Sequence, residues 1–263
     1  MARSKPNLNP AVQTDLPIIV NFSGGRTSAF MAVYLNSRYP DRCINIFCNT
    51  GKEQSGTLDF VEQVSGHFNF ATTWLEYRSG RQFAIVNRQS ACQTGRPFSE
   101  LIHDRGIPSK MARSCTKELK ERTTDRYLQS IGIKPRHRIT AIGIRADERH
   151  RLGQFFYPLV SDMTVDVHFI RSFWRSQPFD LMIDESLGNC DFCFLKSLRK
   201  RIAIAKKYPD LVKWWSDMES KFCGSSDFLF DMHNHVPISS IINQSALAAD
   251  QLDIEFDCFC SSS

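Results

Sequence analysis

No stretch of the 263-residue sequence approaches the roughly 18 consecutive apolar residues that a membrane helix requires. Residues 1–15 are polar, are interrupted by Pro6 and Pro10, and lack an apolar h-region, so they read as a loose tail and not as a secretory signal. Charge of one sign is in little excess. The net charge of +5 favours an anionic partner, but it is too small to choose between a nucleotide and a nucleic acid. There is no internal repeat and no low-complexity segment. Together these absences point to a soluble, cytoplasmic chain with no membrane partner.

Cysteine, by contrast, is abundant, with nine in the chain. A reducing compartment and an odd count argue against a disulfide framework. Some of these thiols are therefore expected to bind metal or do chemistry. Others, such as Cys43 and Cys48 on either side of the apolar "INIF", are expected simply to be buried.

Pro17 to Phe22 ("PIIVNF") is short, apolar and β-branched, the pattern of a strand covered on both faces. Cys43 to Cys48 repeats it, and Thr72 to Tyr77 and His137 to Ile144 read as further strands. Helices are expected at Thr27 to Leu35, Leu58 to Val64, Pro97 to His103 and Cys115 to Leu128. Strands alternating with helices predict an α/β fold with a doubly wound parallel sheet, whose ligands bind beyond the carboxyl ends of the strands. Three polar segments fall at such ends: "SGGRTS", "NTGKE" and "RADERHR". After Pro178 the character changes to a cysteine knuckle and basic amphipathic helices. The chain thus divides into a tail (1–15), a nucleotide-binding domain (16–189) and a C-terminal cysteine-bearing helical segment (190–263).

In "SGGRTS", Gly24 and Gly25 let the backbone approach an anion and adopt positive φ. The helix that follows presents unpaired amides and a partial positive charge. Ser23, Thr27 and Ser28 add hydroxyl donors, and Arg26 adds a fixed cation. The loop suits phosphate or sulfate. It matches neither the Walker pattern nor G-x-G-x-x-G, and a plain glycine turn with a Ser helix cap is the bland alternative.

This loop resembles the SGG-x-x-S pyrophosphate loop (PP-loop) of the adenine nucleotide alpha-hydrolase-like superfamily. "NTGKEQSGTLDFV", "GIRADERHR" and "YPLVSDMTVDV" resemble successive segments of the phosphoadenosine phosphosulfate (PAPS) reductase family. The resemblance runs from about Pro17 to Lys200. It implies a Rossmann-like fold in which Ser23, Gly24, Gly25, Arg26, Thr27 and Ser28 hold phosphate or sulfate. Asn49, Thr50, Gly51 and Glu53 would line the nucleotide cleft. Gly143, Arg145 and Arg151 would contact the nucleotide or its anionic end, with Asp147 and Glu148 orienting the arginines. A solvated charge run is the alternative for "RADERHR".

Cys190 and Cys193 form a C-x2-C knuckle whose thiolates can converge on one metal. "SCTKELK" resembles the tandem-cysteine site of adenylyl-sulfate (APS) reductases that carry a [4Fe–4S] cluster, with Ser114 replacing one cysteine. Cys115, Cys190 and Cys193 would then be three ligands, and the terminal C-x-C, Cys258 first, the source of the fourth. Cys223 and Cys92 are weaker candidates. Zinc suits the same thiolates, and a redox C-x2-C is a further alternative.

The sequence lacks the E-C-G-[IL]-H motif that carries the nucleophilic cysteine of sulfonucleotide reductases. It ends in "EFDCFCSSS", leaving Cys260 or Cys258 as the candidate nucleophile. Two enzymatic readings therefore stand. One is reduction of APS or PAPS to sulfite with a thioredoxin-like donor. The other is ATP-dependent sulfur transfer to tRNA or DNA, as in thiolases and phosphorothioation enzymes. A non-catalytic nucleotide or iron–sulfur sensor is the third reading, and a homo-oligomer stays open. Lys196 to Trp215 mixes seven Lys or Arg residues with two tryptophans. That composition suits nucleic acid, but it suits an amphipathic helix packed on the core better. His233 to His235 ("HNH") reads as a loop, and His103 and His150 as ordinary surface or cleft histidines.

Overall fold

A computed structural model describes residues 10–109, 112–184, 186–188, 190–223 and 236–247. The apolar run after Pro17 forms β1 (Ile18–Asn21). Its alternation explains its burial, because Ile18 and Val20 enter one hydrophobic core while Ile19 enters another on the opposite face. Each such fully buried side chain contributes about 1.5–3 kcal/mol.

Short connections carry the chain through α2 (Arg26–Arg38), β2 (Cys43–Asn49), α3 (Ser55–His67) and β3 (Thr72–Arg78). A short α1 (Pro10–Gln13) precedes them. β4 (Gln82–Val86), α4 (Arg96–Arg105), a π-helical stretch (Cys115–Arg122), α5 (Thr123–Ser130) and β5 (Ile139–Ala141) follow. The five strands lie in the order β4-β3-β2-β1-β5. β1 pairs in parallel with β2 (Ile18 opposite Cys43) and with β5 (Ile18 opposite Ile139), and β2 pairs in parallel with β3. β4 runs antiparallel along β3. The architecture is mixed α/β with a mostly parallel sheet.

The sequence pattern did not reveal β4. An edge strand half open to solvent has no continuous apolar run, and Ile85 is 63% exposed. β5 is shorter than the expected His137–Ile144. Pro135–His137 takes a 3-10 turn before it, and beyond Ala141, which bridges to Phe156, the backbone leaves the sheet. The expected helix at Cys115–Leu128 is π-helical in its first half, a geometry that recurs at functional sites.

α2, α3 and α7 (Val167–Arg175) cover one face of the sheet, sharing a core with Phe47 and Trp74; a short α6 (Pro158–Ser161) precedes α7. Leu128 and Tyr127 of α5 cover the other face. α8 (Leu198–Lys207), α9 (Pro209–Cys223) and α10 (Ile238–Leu247) build a further core. There Ile204, Val212, Trp215, Ile238 and Ile241 pack with Tyr77, Phe98, Leu101 and Leu119. The helices after residue 190 thus share a core with the region before it, and the apolar side of Lys196–Trp215 lies inside that core. No helix among the described residues is long and apolar enough to cross a membrane.

Candidate functional site

The loop after β1 is shaped by Gly24, whose φ is +80° and whose Cβ, if present, would lie 2.5 Å from the Thr57 methyl on α3. Ser28, buried in the first turn of α2, ties the loop together. Its hydroxyl accepts from the Ser23 amide at 3.1 Å, lies 2.9 Å from the Ser23 hydroxyl and donates to the Gly25 carbonyl at 2.9 Å. Gly25 is the N-cap, and no side chain caps the helix there. The Ser helix cap is therefore not the arrangement adopted, and this end of α2 keeps the partial positive charge of an uncapped helix start.

Beyond the neighbouring β5 the backbone comes unusually close. A Cβ on Gly143 would stand 2.9 Å from the Ser28 Cα. Arg145, just after it, donates to the Thr27 hydroxyl at 3.2 Å and forks onto Asp147 at 3.0 Å through both Nε and Nη2. Glu148 faces both arginines, with Arg145 Nη1 at 3.4 Å and Arg151 Nη1 in hydrogen-bond contact. Ser23 through Ser28, Gly143, Arg145 and Arg151 are thus gathered at the carboxyl ends of two adjacent parallel strands. Arg26 is placed differently. Its guanidinium is held by Asp180 at 2.7 and 3.0 Å and by the Leu181 carbonyl at 3.0 Å. To contact an anion in the loop it would have to leave that carboxylate.

The turn after β2 is satisfied from within. Glu53 accepts from the Thr50 amide and hydroxyl at 2.9 and 2.8 Å. Gly51 (φ +77°) donates to the Asn49 side chain at 3.1 Å. Burial pushes the Glu53 carboxyl above the usual carboxylate range, against the opposing pull of Lys120 and the Thr50 bonds. Asn49 donates in turn to Glu76 at 2.7 Å and to the Cys92 carbonyl at 2.8 Å. Glu76 is fully buried and also accepts from the Cys92 amide (2.6 Å) and Arg96 (2.8 Å), with Arg78 at 3.1 Å. Removing one partner of such a buried charge network typically costs about 3–5 kcal/mol.

The cysteines occupy several environments. Cys43 and Cys48 are half-buried and not fully buried as expected, yet burial of their thiols pushes both up to about 11, as suits unreactive sulfur. Cys92, beside the start of α4, is held below the usual thiol range. Its burial is outweighed by hydrogen bonds from the Thr94 hydroxyl and the Thr94 and Arg96 amides. Burial also raises Cys115. Cys115, Cys190, Cys48 and Glu53 all face the Lys120 ammonium. Burial works to discharge Lys120, but nearby acidic groups, Glu53 and the thiols once ionised, outweigh it and raise its pKa. Among the described residues, no three His, Cys, Asp or Glu side chains gather closely enough to hold a metal ion. Cys115, Cys190 and Cys193 alone therefore make no closed ligand set, and Cys258 and Cys260 lie outside the described residues, as does His233–His235.

Sequence reasoning missed Glu76, Lys52, Lys120 and Thr57. The first had a visible signal, since a carboxylate in the middle of the apolar "TTWLEY" must find partners once buried. Lys52 stands inside the "NTGKE" turn, but its partner Asp191 is far along the chain, and the ion pair they form at 2.9 Å gives no sequence signal.

No protein-family model matches the chain. It is 32% identical over 197 residues, 69% of its own length and 67% of the relative's, to the uncharacterized nin region protein ORF290 of Escherichia phage lambda. The chain belongs to the family of this phage lambda nin-region protein.

Proposed function

We propose that the protein is a PAPS reductase-like enzyme that binds an adenine nucleotide in the loop Ser23–Ser28 and performs sulfur chemistry on it. Its sheet is read as doubly wound and Rossmann-like, of the adenine nucleotide alpha-hydrolase type. The chain moves outward from β1 to β2 and β3 and later returns to place β5 on the other side of β1. Ligands of such sheets sit where the winding reverses. One observation carries the reading: at that reversal the Ser23–Ser28 loop and Gly143 press together, with Arg145 reaching Thr27.

In this reading the loop amides and hydroxyls bind phosphate or sulfate oxygens and stabilise charge that develops on them. Glu148 and Asp147 hold Arg145 and Arg151 toward the same oxyanion. Asn49, Thr50, Gly51 and Glu53 form the adjoining wall of the cleft. Reduction of APS or PAPS would take its nucleophile from Cys260 and its electrons from a thioredoxin-like donor. To ligate a [4Fe–4S] cluster, or zinc as the alternative occupant, Cys115, Cys190 and Cys193 would have to draw closer together than they stand here and be joined by Cys258. The free thiols of Cys43, Cys48, Cys92 and Cys115 suit a reducing, cytoplasmic setting.

The second reading is ATP-dependent sulfur transfer to tRNA or DNA, for which Cys115, on the π-helical stretch that also carries Lys120, would be a candidate thiol. A sulfur-carrying thiol then need not come from the C-terminal segment.

Calorimetric titration with ATP, APS and PAPS tests nucleotide binding. Anaerobic sulfite release from APS or PAPS with a thiol reductant, and pyrophosphate release from ATP with tRNA or DNA, separate the two reactions. Binding without either turnover would mark a sensor or accessory subunit. A folded protein that binds none of the three nucleotides would refute the proposal.

A further inference from the structure

The turn that walls the cleft and the loop that carries the C-x2-C knuckle are joined by a buried charge pair. Lys52 Nζ lies 2.9 Å from Asp191 Oδ2, with the two side chains 9% and 7% exposed. The other Asp191 oxygen accepts from Trp215 Nε1 at 2.9 Å, and the Asp191 amide donates to the Lys52 carbonyl at 3.2 Å. The Lys52 ammonium stands 4.4 Å from the centre of the Trp214 ring and 5.9 Å from that of Trp215. Gly95 closes the back of this node. A Cβ there would lie 2.5 Å from the Trp214 ring, and one on Gly51 would lie 3.2 Å from the Gly95 Cα. On the loop itself, Lys196 Nζ donates to the Cys190 carbonyl at 3.0 Å.

Stability alone is a weak reason for this arrangement. Desolvating two charges consumes much of what their attraction returns, and an apolar pair of similar volume often does as well. The ion pair does provide direction. Asp191 has one oxygen on Lys52 and one on Trp215, so the knuckle can hold only one position relative to the turn after β2. Cys190 and Cys193 flank Asp191 on either side, and Gly51 and Glu53 flank Lys52.

We propose that Lys52 is a positioning residue that couples the cleft-lining turn to the cysteine loop, so that occupancy of the cleft sets the exposure of Cys190 and Cys193. The coupling to occupancy rests on the nucleotide reading above; the tie between turn and loop does not. If a nucleotide stabilises the turn, it stabilises the loop by the same free energy, and disturbing the loop weakens nucleotide binding equally.

The test is iodoacetamide labelling of the full chain, with and without ATP, followed residue by residue by mass spectrometry. Cys92, whose thiol is held below the usual range and which lies outside the ion pair, is the internal reference. In the wild type ATP should slow labelling of Cys190 and Cys193 by about tenfold, within the usual range for coupled sites. Without ATP, Lys52→Met should label faster at both cysteines and no slower or faster at Cys92, and ATP should no longer protect them. Trp215→Phe, which removes the indole donor and leaves a smaller ring in the core, should shift both results in the same direction and serves if Lys52→Met does not fold. The double variant Lys52→Met/Asp191→Leu should recover thermal stability without recovering ATP protection. Recovery of both would reduce the pair to a structural contact and overturn the proposal. Wild-type labelling rates in the folded single variants would overturn it as well. If ATP fails to bind the wild type, the labelling is repeated with APS and PAPS; if none of the three binds, the nucleotide reading falls, and faster labelling of the nucleotide-free variants still decides whether the tie exists.

Discussion

Replacing Gly143 with alanine is the sharpest probe of the site, because the perturbation is a single methyl group at a known distance. The new Cβ would lie 2.9 Å from the Ser28 Cα and 3.2 Å from the Ser28 nitrogen. Both are backbone atoms in the first turn of α2, so no side-chain rotation relieves the contact. The loop after β5 or the start of α2 must move by several tenths of an ångström. Overpacking of this kind costs about 1–3 kcal/mol. At about 2–4 °C per kcal/mol for a chain of this size, melting should fall by about 2–12 °C. The same displacement misaligns the first-turn amides of α2, and ATP affinity should drop about tenfold, equivalent to about 1.4 kcal/mol. The matched control is Gly66→Ala in α3, where nothing lies within 4 Å of the added methyl. It should stabilise by about 0.5–1 kcal/mol through the helix preference for alanine. Thermal unfolding by circular dichroism and calorimetric titration of both variants give the answer. If Gly143→Ala melts and binds like the wild type while Gly66→Ala behaves as stated, the two loops do not meet as described, and the site built on their meeting is wrong.

Arg26→Ala releases Asp180, and because the pair is 28% and 32% exposed it should cost no more than about 1 kcal/mol. ATP affinity should fall less than about threefold, and a loss beyond about tenfold would show that the guanidinium leaves Asp180 for the ligand. Glu76→Leu strands the Asn49 amide, the Cys92 amide and two guanidinium groups, and should destabilise by about 3–5 kcal/mol in urea unfolding. Hydrogen bonds from Tyr77 and Ser79 hold the Asp104 carboxyl down at about 2, below its ordinary 3.8. Its contribution to stability is therefore complete above pH 4 and is lost as pH falls toward 2. Tyr77→Phe should lower stability at neutral pH and flatten the loss between those values in an acid-unfolding series.

The sequence made the central strands legible because their physics is local. "PIIVNF" and "CINIFC" are apolar at every position but one, Asn21 and Asn45, and only a strand buried on both faces makes use of that. Gly24 of "SGGRTS" was legible for the same reason, since a backbone bend with positive φ leaves its mark in the residue that makes it; Gly25 was expected to share that bend but is extended, with φ −88°. β4 was not, because a half-exposed edge strand is defined by its neighbour β3 more than by its own residues. The π-helical turn at Cys115–Arg122 was also hidden, since its sequence satisfies an α-helix equally well.

What the sequence by itself determined, then, is the set of covered strands, the mixed α/β class and the polar, glycine-bearing loops at strand ends. Only the tertiary structure decided that Arg26 turns to Asp180, that Glu76 gathers four partners and that Lys52 meets Asp191. Hydrophobic pattern and backbone bend are encoded within a few neighbouring residues. A charge inside the protein takes whichever counter-charge the fold brings within about 3 Å, and chain separation says nothing about which one that will be.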